Sequence, residues 1–162
     1  MSKKSGGKKQ SNTSYSALIA QNKRARFDYE ILETLEGGLV LTGSEVKSLR
    51  DGKGSINECY AQFDKHGELY LINSHIALYE NGGYANHEER RSRKILLHKK
   101  ELLKFSKEKE TKTLTIVPLK IYWKNGKVKV EIALARGKKL HDKRHDTKDK
   151  DWKRQQQRLL KA

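Results

Sequence analysis

The sequence predicts a mainly β protein with small helices. Its body is an OB-like closed β-barrel over residues 15–136, between a disordered basic arm at 1–14 and a basic tail at 137–162. Three observations predict this. Short segments alternate apolar and polar residues at the two-residue period of a half-buried strand. Turn residues punctuate them at short intervals. Several short strands that each need one buried face favour a closed barrel over an open sheet with exposed edges.

The opening stretch MSKKSGGKKQSNTS is rich in Ser, Gly and Lys and too polar to pack. A short basic helix is expected around Ala17–Gln21. Tyr29, Ile31 and Leu35, spaced by acids, predict a strand. Gly37-Gly38 reads as a turn into a second strand at Leu39-Val40-Leu41. Ser44 is the expected N-cap of a helix that places Val46 and Leu49 on one face and stops at Gly52 and Gly54. Tyr60–Phe63 and Leu69–Ile72 bracket Lys65-His66-Gly67 as a hairpin, and Ile76–Tyr79 adds a strand.

Residues 80–94 are polar and glycine-containing, and read as a loop. A helix is predicted over Leu97–Phe105, with Leu102, Leu103 and Phe105 inward. Two strands follow, one alternating Val117, Leu119, Ile121, Trp123 and the next Val128, Val130, Ile132, Leu134. Asn125-Gly126 between them suits a type I′ turn, whose two central residues need positive φ. Pro118 has no N–H and predicts an edge or a bulge. Beyond Gly137 the chain is too polar for a core. Its last stretch favours helix, but its apolar stripe (Trp152, Leu159, Leu160) is too thin to stabilise an isolated helix, so it is expected to fold on a partner.

Charge distribution points to function. The 162 residues carry a net charge of +16. Residues 1–26 hold seven Lys/Arg and no acid, and residues 136–162 hold 11 Lys/Arg and four Asp, while residues 27–135 are nearly balanced. A near-neutral body with two basic ends is the electrostatic pattern of a nucleic-acid binder. Basic clusters stand at Asn22-Lys23-Arg24-Ala25-Arg26, at Arg90-Arg91-Ser92-Arg93-Lys94 and in the tail, where Lys and Arg can neutralise phosphates. Tyr84, His87 and His98 are candidate stacking groups for unpaired bases.

Other chemistries find little support. Cys59 is the single cysteine, which suits a reducing cytosol. The spacing of His141 and His145 lacks the second pair a zinc site needs. Gly37-Gly38 and Gly82-Gly83 lack the continuation of a phosphate loop. No apolar run is long enough to span a bilayer, and no apolar segment follows the basic N-terminus to make a secretory signal. The chain is therefore expected to be cytoplasmic, with no cofactor, no metal and no catalytic residue. A structural ribosomal protein, or a ribonuclease using His66 beside Asp64 or His141 beside Asp142, are the competing readings.

Four motifs in register carry a resemblance. They are Asn22-Lys23-Arg24-Ala25-Arg26-x-Asp28-Tyr29, Gly43-Ser44-Glu45-Val46-Lys47-Ser48-Leu49-Arg50-x-Gly52-Lys53, Arg93-Lys94-Ile95-Leu96-Leu97 and Gly137-Lys138-Lys139-x-His141-Asp142-Lys143-Arg144. With them the chain resembles the SsrA-binding protein family, also called small protein B, the bacterial partners of transfer-messenger RNA. The resemblance implies an OB-like barrel that binds the tRNA-like domain of that RNA and delivers it to stalled ribosomes for trans-translation. It implies RNA contacts at Asn22, Glu36, Leu96 and His98, alongside the basic residues Lys23, Arg24, Arg26, Arg93 and Lys94. It also implies a tail that becomes helical on the ribosome and probes the 16S rRNA decoding centre and the empty mRNA channel. There His141 would stack on a base, Lys138, Lys139, Lys143 and Arg144 would meet phosphates beside Asp142, and Trp152, Leu159 and Leu160 would pack. The elongation factor Tu–GTP complex is an implied partner through the RNA, and a monomer is expected. Glu89, Leu78 and Phe27 stand where the family often has Pro, Pro and His, which leaves the conformation of 80–92 open.

Overall fold

A computed structural model describes residues 17–138 and 140–161. The predicted arm at 1–14 lies outside the described residues. The elements in order are β1 (Ala17–Gln21), α1 (Ala25–Asp28), β2 (Tyr29–Leu39), α2 (Gly43–Arg50), β3 (Gly54–Ser55), β4 (Tyr60–Phe63), β5 (Leu69–Ile72), β6 (His75–Ile76), β7 (Arg93–Leu96), α3 (Lys99–Lys112), β8 (Thr115–Lys124), β9 (Lys127–Gly137) and α4 (Leu140–Lys161). One 3₁₀ turn, Gly83–Ala85, interrupts the loop before β7.

The strands form an antiparallel sheet in the order β1-β8-β4-β5-β7-β2-β9, and β8 pairs with β9 to close the ring. The barrel predicted from alternation is present. Asn125 and Gly126 both adopt positive φ, 51° and 74°, as a type I′ hairpin requires. The β4–β5 hairpin also forms. Its turn is held by Asp64, whose Oδ1 accepts the backbone N–H groups of His66 and Glu68, both at 2.9 Å. Asp64 is thus committed to the turn, and that weakens its pairing with His66 as a ribonuclease dyad.

The interior holds Leu49 from α2, Phe105 from α3, and Leu69, Leu71, Ile95, Ile116, Ile121, Val130, Ile132 and Leu134 from the strands. A smaller cluster lies outside the ring, where Ala25 of α1 meets Val117, Leu119, Ala133 and Ala135. This corrects the expected alternation of the first hairpin strand. The register shifts between Pro118 and Lys120. Val117 and Leu119 therefore join the outer cluster while Ile121 packs inside. Proline sits at a bulge, as its missing donor demands.

Four further expectations change. Ala17–Gln21 is a strand paired with β8, not a helix, because pairing with a distant strand outweighs weak local propensity. Gly37-Gly38 is no turn; β2 runs through it to Leu39. A Cβ at Gly37 would stand 2.9 Å from Ile95 Cγ2 and 3.0 Å from both Leu96 O and Leu97 Cδ2, so glycine admits β7 close against β2. The cap of α2 is Thr42, whose N–H donates to Glu45 Oε1 at 2.9 Å. In α3, Phe105 is buried but Leu103 faces solvent.

The Gly37 contact supports a prediction. Gly37→Ala should destabilise the barrel by about 1–3 kcal/mol, the usual cost of overpacking, and urea unfolding followed by circular dichroism measures it. A Gly43→Ala control, with nothing within 4 Å of its Cβ, should lose little.

Candidate nucleic-acid interface

Three of the implied contact positions meet in one groove of about 640 Å³. Glu36 comes from the end of β2, Leu96 from the end of β7, and His98 from the start of α3. Leu39, Leu97, Trp123 and Val128 give the groove an apolar floor, and Lys127, Lys129 and Glu101 stand at its charged margin. Leu96 is exposed despite its size, and His98 beside it is exposed at the N-cap of α3. Its backbone N–H donates to Glu101 Oε1 at 3.2 Å, which fixes the ring's mounting. An open apolar shelf with an imidazole at its edge suits an unpaired base that stacks and is read at its edge.

Glu36 supplies the polarity of that reading. The Tyr122 hydroxyl donates to its Oε2, and Lys124 Nζ reaches both oxygens at 3.1 and 3.2 Å. The Tyr122 hydrogen bond, opposed by partial burial and assisted by Lys124, holds the carboxyl below the usual Glu range. Burial, then the hydrogen bond to Glu36, pushes the Tyr122 hydroxyl up, so it keeps its proton and donates. An ionised carboxylate only accepts hydrogen bonds. What faces Glu36 must therefore be an amino, imino or hydroxyl donor rather than a phosphate. Tyr122 was not legible as part of this site. Alternation places it opposite the expected inward set, and nothing local marks its partner 86 residues away.

Asn22 is not in this groove. Its N–H donates to Leu119 O at 2.8 Å, and its side chain donates to Pro118 O at 3.4 Å. It lines a second concavity with Lys23, Arg24, Tyr29 and Tyr60. Lys23 and Arg24 are exposed there, Arg26 is exposed at a separate small cavity, and Arg24 lies 3.8 Å from Asp28.

The third basic cluster is the main correction. Arg93 is fully buried on β7, not displayed on a loop. Its Nε donates to Glu45 Oε2, its Nη1 to Ser74 O and Oγ at 2.9 and 2.8 Å, and its Nη2 to Glu89 O at 3.1 Å. Arg91 Nη2 takes the other Glu45 oxygen at 2.6 Å, and Arg90 donates to Asn73 Oδ1 at 2.9 Å. Lys94, also on the strand, pairs with Glu68 at 2.9 Å. Arg91 and Arg93 thus tie the loop before β7 to α2, while Arg90 and Lys94 are tied to Asn73 and Glu68, and Arg93 has no face left for a phosphate. His87 is likewise buried between Ser44 Oγ and Ile76 O, both at 2.9 Å, so it cannot stack. Tyr84 is exposed.

The last segment forms α4, with Lys150 Nζ 5.8 Å from the Phe27 ring centroid on α1. Trp152, Leu159 and Leu160 are 62%, 77% and 86% exposed. Lys138 belongs to the barrel edge, donating from its backbone to Asp28 O and from Nζ to Arg26 O, each at 3.0 Å. Arg144 is exposed. Lys139 and the side chains of His141, Asp142 and Lys143 lie outside the described residues. Among the described residues no group of three His, Cys, Asp or Glu is placed to hold a metal, and no helix is long and apolar enough to cross a membrane.

A family model described as SmpB protein matches residues 19–162. The chain belongs to the SmpB protein family. Relatives in this family agree along nearly the full length. The SsrA-binding protein of Parvibaculum lavamentivorans is 49% identical over 162 residues, covering 99% of this chain and 98% of its own. That of Agrobacterium fabrum is 52% identical over 146 residues, covering 90% and 91%. A chain in the solved structure "tmRNA-SmpB: a journey to the center of the bacterial ribosome" is 56% identical, with a TM-score of 0.61 over 74% of this chain and 84% of that one. The SmpB family is thus supported by sequence along the chain and by the closed barrel itself.

Proposed function

We propose that this chain binds the tRNA-like domain of transfer-messenger RNA and carries it to stalled ribosomes for trans-translation. Membership of the SmpB protein family supports the reading. The observation that carries it is the groove, which gathers an oriented acceptor (Glu36), an exposed apolar side chain (Leu96) and a mounted imidazole (His98). That set reads an unpaired base, which RNA offers in its loops. Asn22, Lys23 and Arg24 at the second concavity, with Arg26 at the small cavity it shares with Asn22 and Lys23, hold the RNA, since Lys and Arg neutralise phosphates.

In this reading the protein binds and positions, and does no covalent chemistry. It acts as a monomer in the cytoplasm, without a cofactor, and meets the elongation factor Tu–GTP complex through the RNA. The segment 139–162 enters the decoding centre and the mRNA channel of the ribosome, led by Lys139, His141, Asp142, Lys143 and Arg144.

Gel shifts with the tRNA-like domain, with ordinary tRNA as competitor, test the reading. The domain should bind far more tightly than tRNA; equal affinity would count decisively against it. His98→Asn keeps a residue suited to the N-cap position but removes the imidazole. It should weaken binding by about 1–3 kcal/mol, the usual worth of a stacked base.

A further inference from the structure

We infer that Tyr122 is a positioning residue for RNA recognition: with Lys124 it fixes the Glu36 carboxylate as an acceptor at the groove and so restricts what the groove binds to donor-bearing edges. The inference rests on the proposed RNA reading of that groove. Its observations are geometric. The Tyr122 ring is buried on β8, and its hydroxyl points at Glu36 on β2. Lys124, two residues along β8 and therefore on the same face, grips both carboxylate oxygens. Glu36 lines the groove, whereas Tyr122 and Lys124 are not among its lining residues. What the buried Tyr122 contributes to binding therefore passes through Glu36.

Charged groups of both signs surround Glu36. Glu131 of β9 stands directly opposite it in the strand register, and Glu101 of α3 shares the groove. Lys124 and Lys129 help to hold the Glu36 carboxyl down, and Lys127 and His98 stand in the same groove. A protonated, freely rotating Glu36 could donate to a carbonyl or a phosphate, and the groove would lose its preference. Tyr122 is a neutral donor, so it orients the carboxylate without adding a cation that would attract phosphate.

The test uses the full chain as wild type, Tyr122→Phe, Glu36→Ala and the double variant, with the tRNA-like domain as probe. Tyr122→Phe keeps the ring and its packing. It should weaken RNA binding about tenfold, as expected when a charge-assisted hydrogen bond is lost. In the Glu36→Ala background it should cost nothing further, because the path through Glu36 is gone. The acid limb of binding should also move to higher pH in Tyr122→Phe, because the Tyr122 hydrogen bond holds the Glu36 carboxyl down, and Glu36→Ala serves as the reference without that carboxyl. Carbon-13 NMR of the Glu36 carboxyl in free protein should show its titration rising.

An equal loss in both backgrounds, no loss at all, or an unmoved Glu36 titration would each overturn the inference. Failure of the wild type to prefer the tRNA-like domain would instead overturn the proposed function. The NMR titration needs no RNA and still decides whether Tyr122 governs Glu36.

Discussion

Arg93→Ala lowers the unfolding free energy by about 3–5 kcal/mol, the usual consequence of leaving a buried charge without its partner. Glu45 and Arg93 are both inaccessible to solvent and joined directly. Removing the guanidinium also strips donors from Ser74 O and Oγ and from the Glu89 carbonyl. Unsatisfied acceptors of this kind add to the cost. Urea unfolding of wild type and variant measures it; a loss below about 1 kcal/mol would mean the pair behaves like an exposed one.

The loss depends on pH with a definite sign. Burial pushes the Glu45 carboxyl up, but the Thr42 N–H and the Arg91 and Arg93 guanidinium groups outweigh it and hold it below the ordinary value of 4.5. A depressed carboxyl contributes stability above its unfolded pKa and loses it as pH falls through the folded one. The gap between wild type and Arg93→Ala should therefore be full at neutral pH. It should shrink as acid protonates Glu45, first in the variant, where burial is less opposed.

The second large effect is functional. Removing residues 139–162 should leave binding to the tRNA-like domain nearly unchanged and abolish rescue of a stalled ribosome. The cut belongs after Lys138, because Gly137 pairs with Tyr29 and Lys138 bonds to Asp28 O, so both complete the barrel. Binding should be compared near 0.15 M salt, where charges beyond about 8 Å are largely screened. A finer variant replaces Trp152, Leu159 and Leu160 with Asp. These side chains are exposed, so the fold should change by no more than about 0.5 kcal/mol per site, yet rescue should fail. Retained rescue would show that the stripe packs on nothing in the ribosome. Collapse of RNA binding would show that body and tail are not separable.

The sequence made the barrel legible wherever period and turn chemistry agreed. Val128 to Leu134 alternate without interruption, and Asn125-Gly126 leaves little choice of turn. It misled where a residue answered to a distant partner. Gly37 resembles a turn residue, but its small size serves the approach of β7, 58 residues on. Arg93 sits in a run of cations that resembles a phosphate-binding patch, and its carboxylate lies 48 residues earlier. The bulge after Pro118 was foreseeable, but its effect, turning Val117 and Leu119 outward, depends on α1 being there to cover them.

The site divides in the same way. Asn22, Glu36, Leu96 and His98 were implied by resemblance, and composition alone would have dismissed the near-neutral body that holds the last three. The basic ends point to the class of partner that the proposed function names, while Arg91 and Arg93 of the middle cluster are tied to Glu45 and Arg90 to Asn73. Tyr122, which stands between Ile121 and Trp123 in sequence, gains its meaning only when β8 is laid near the end of β2.

The central claim is that the Glu36–Leu96–His98 groove selects one RNA. Sequencing the RNA that co-purifies with the full chain from its own cells, beside that recovered with Glu36→Ala, tests it most directly. Strong enrichment of transfer-messenger RNA over tRNA and ribosomal RNA is expected with the wild type, and loss of that enrichment in the variant. Equal recovery of transfer-messenger RNA by both proteins, or a pool dominated by tRNA or ribosomal RNA, would contradict it.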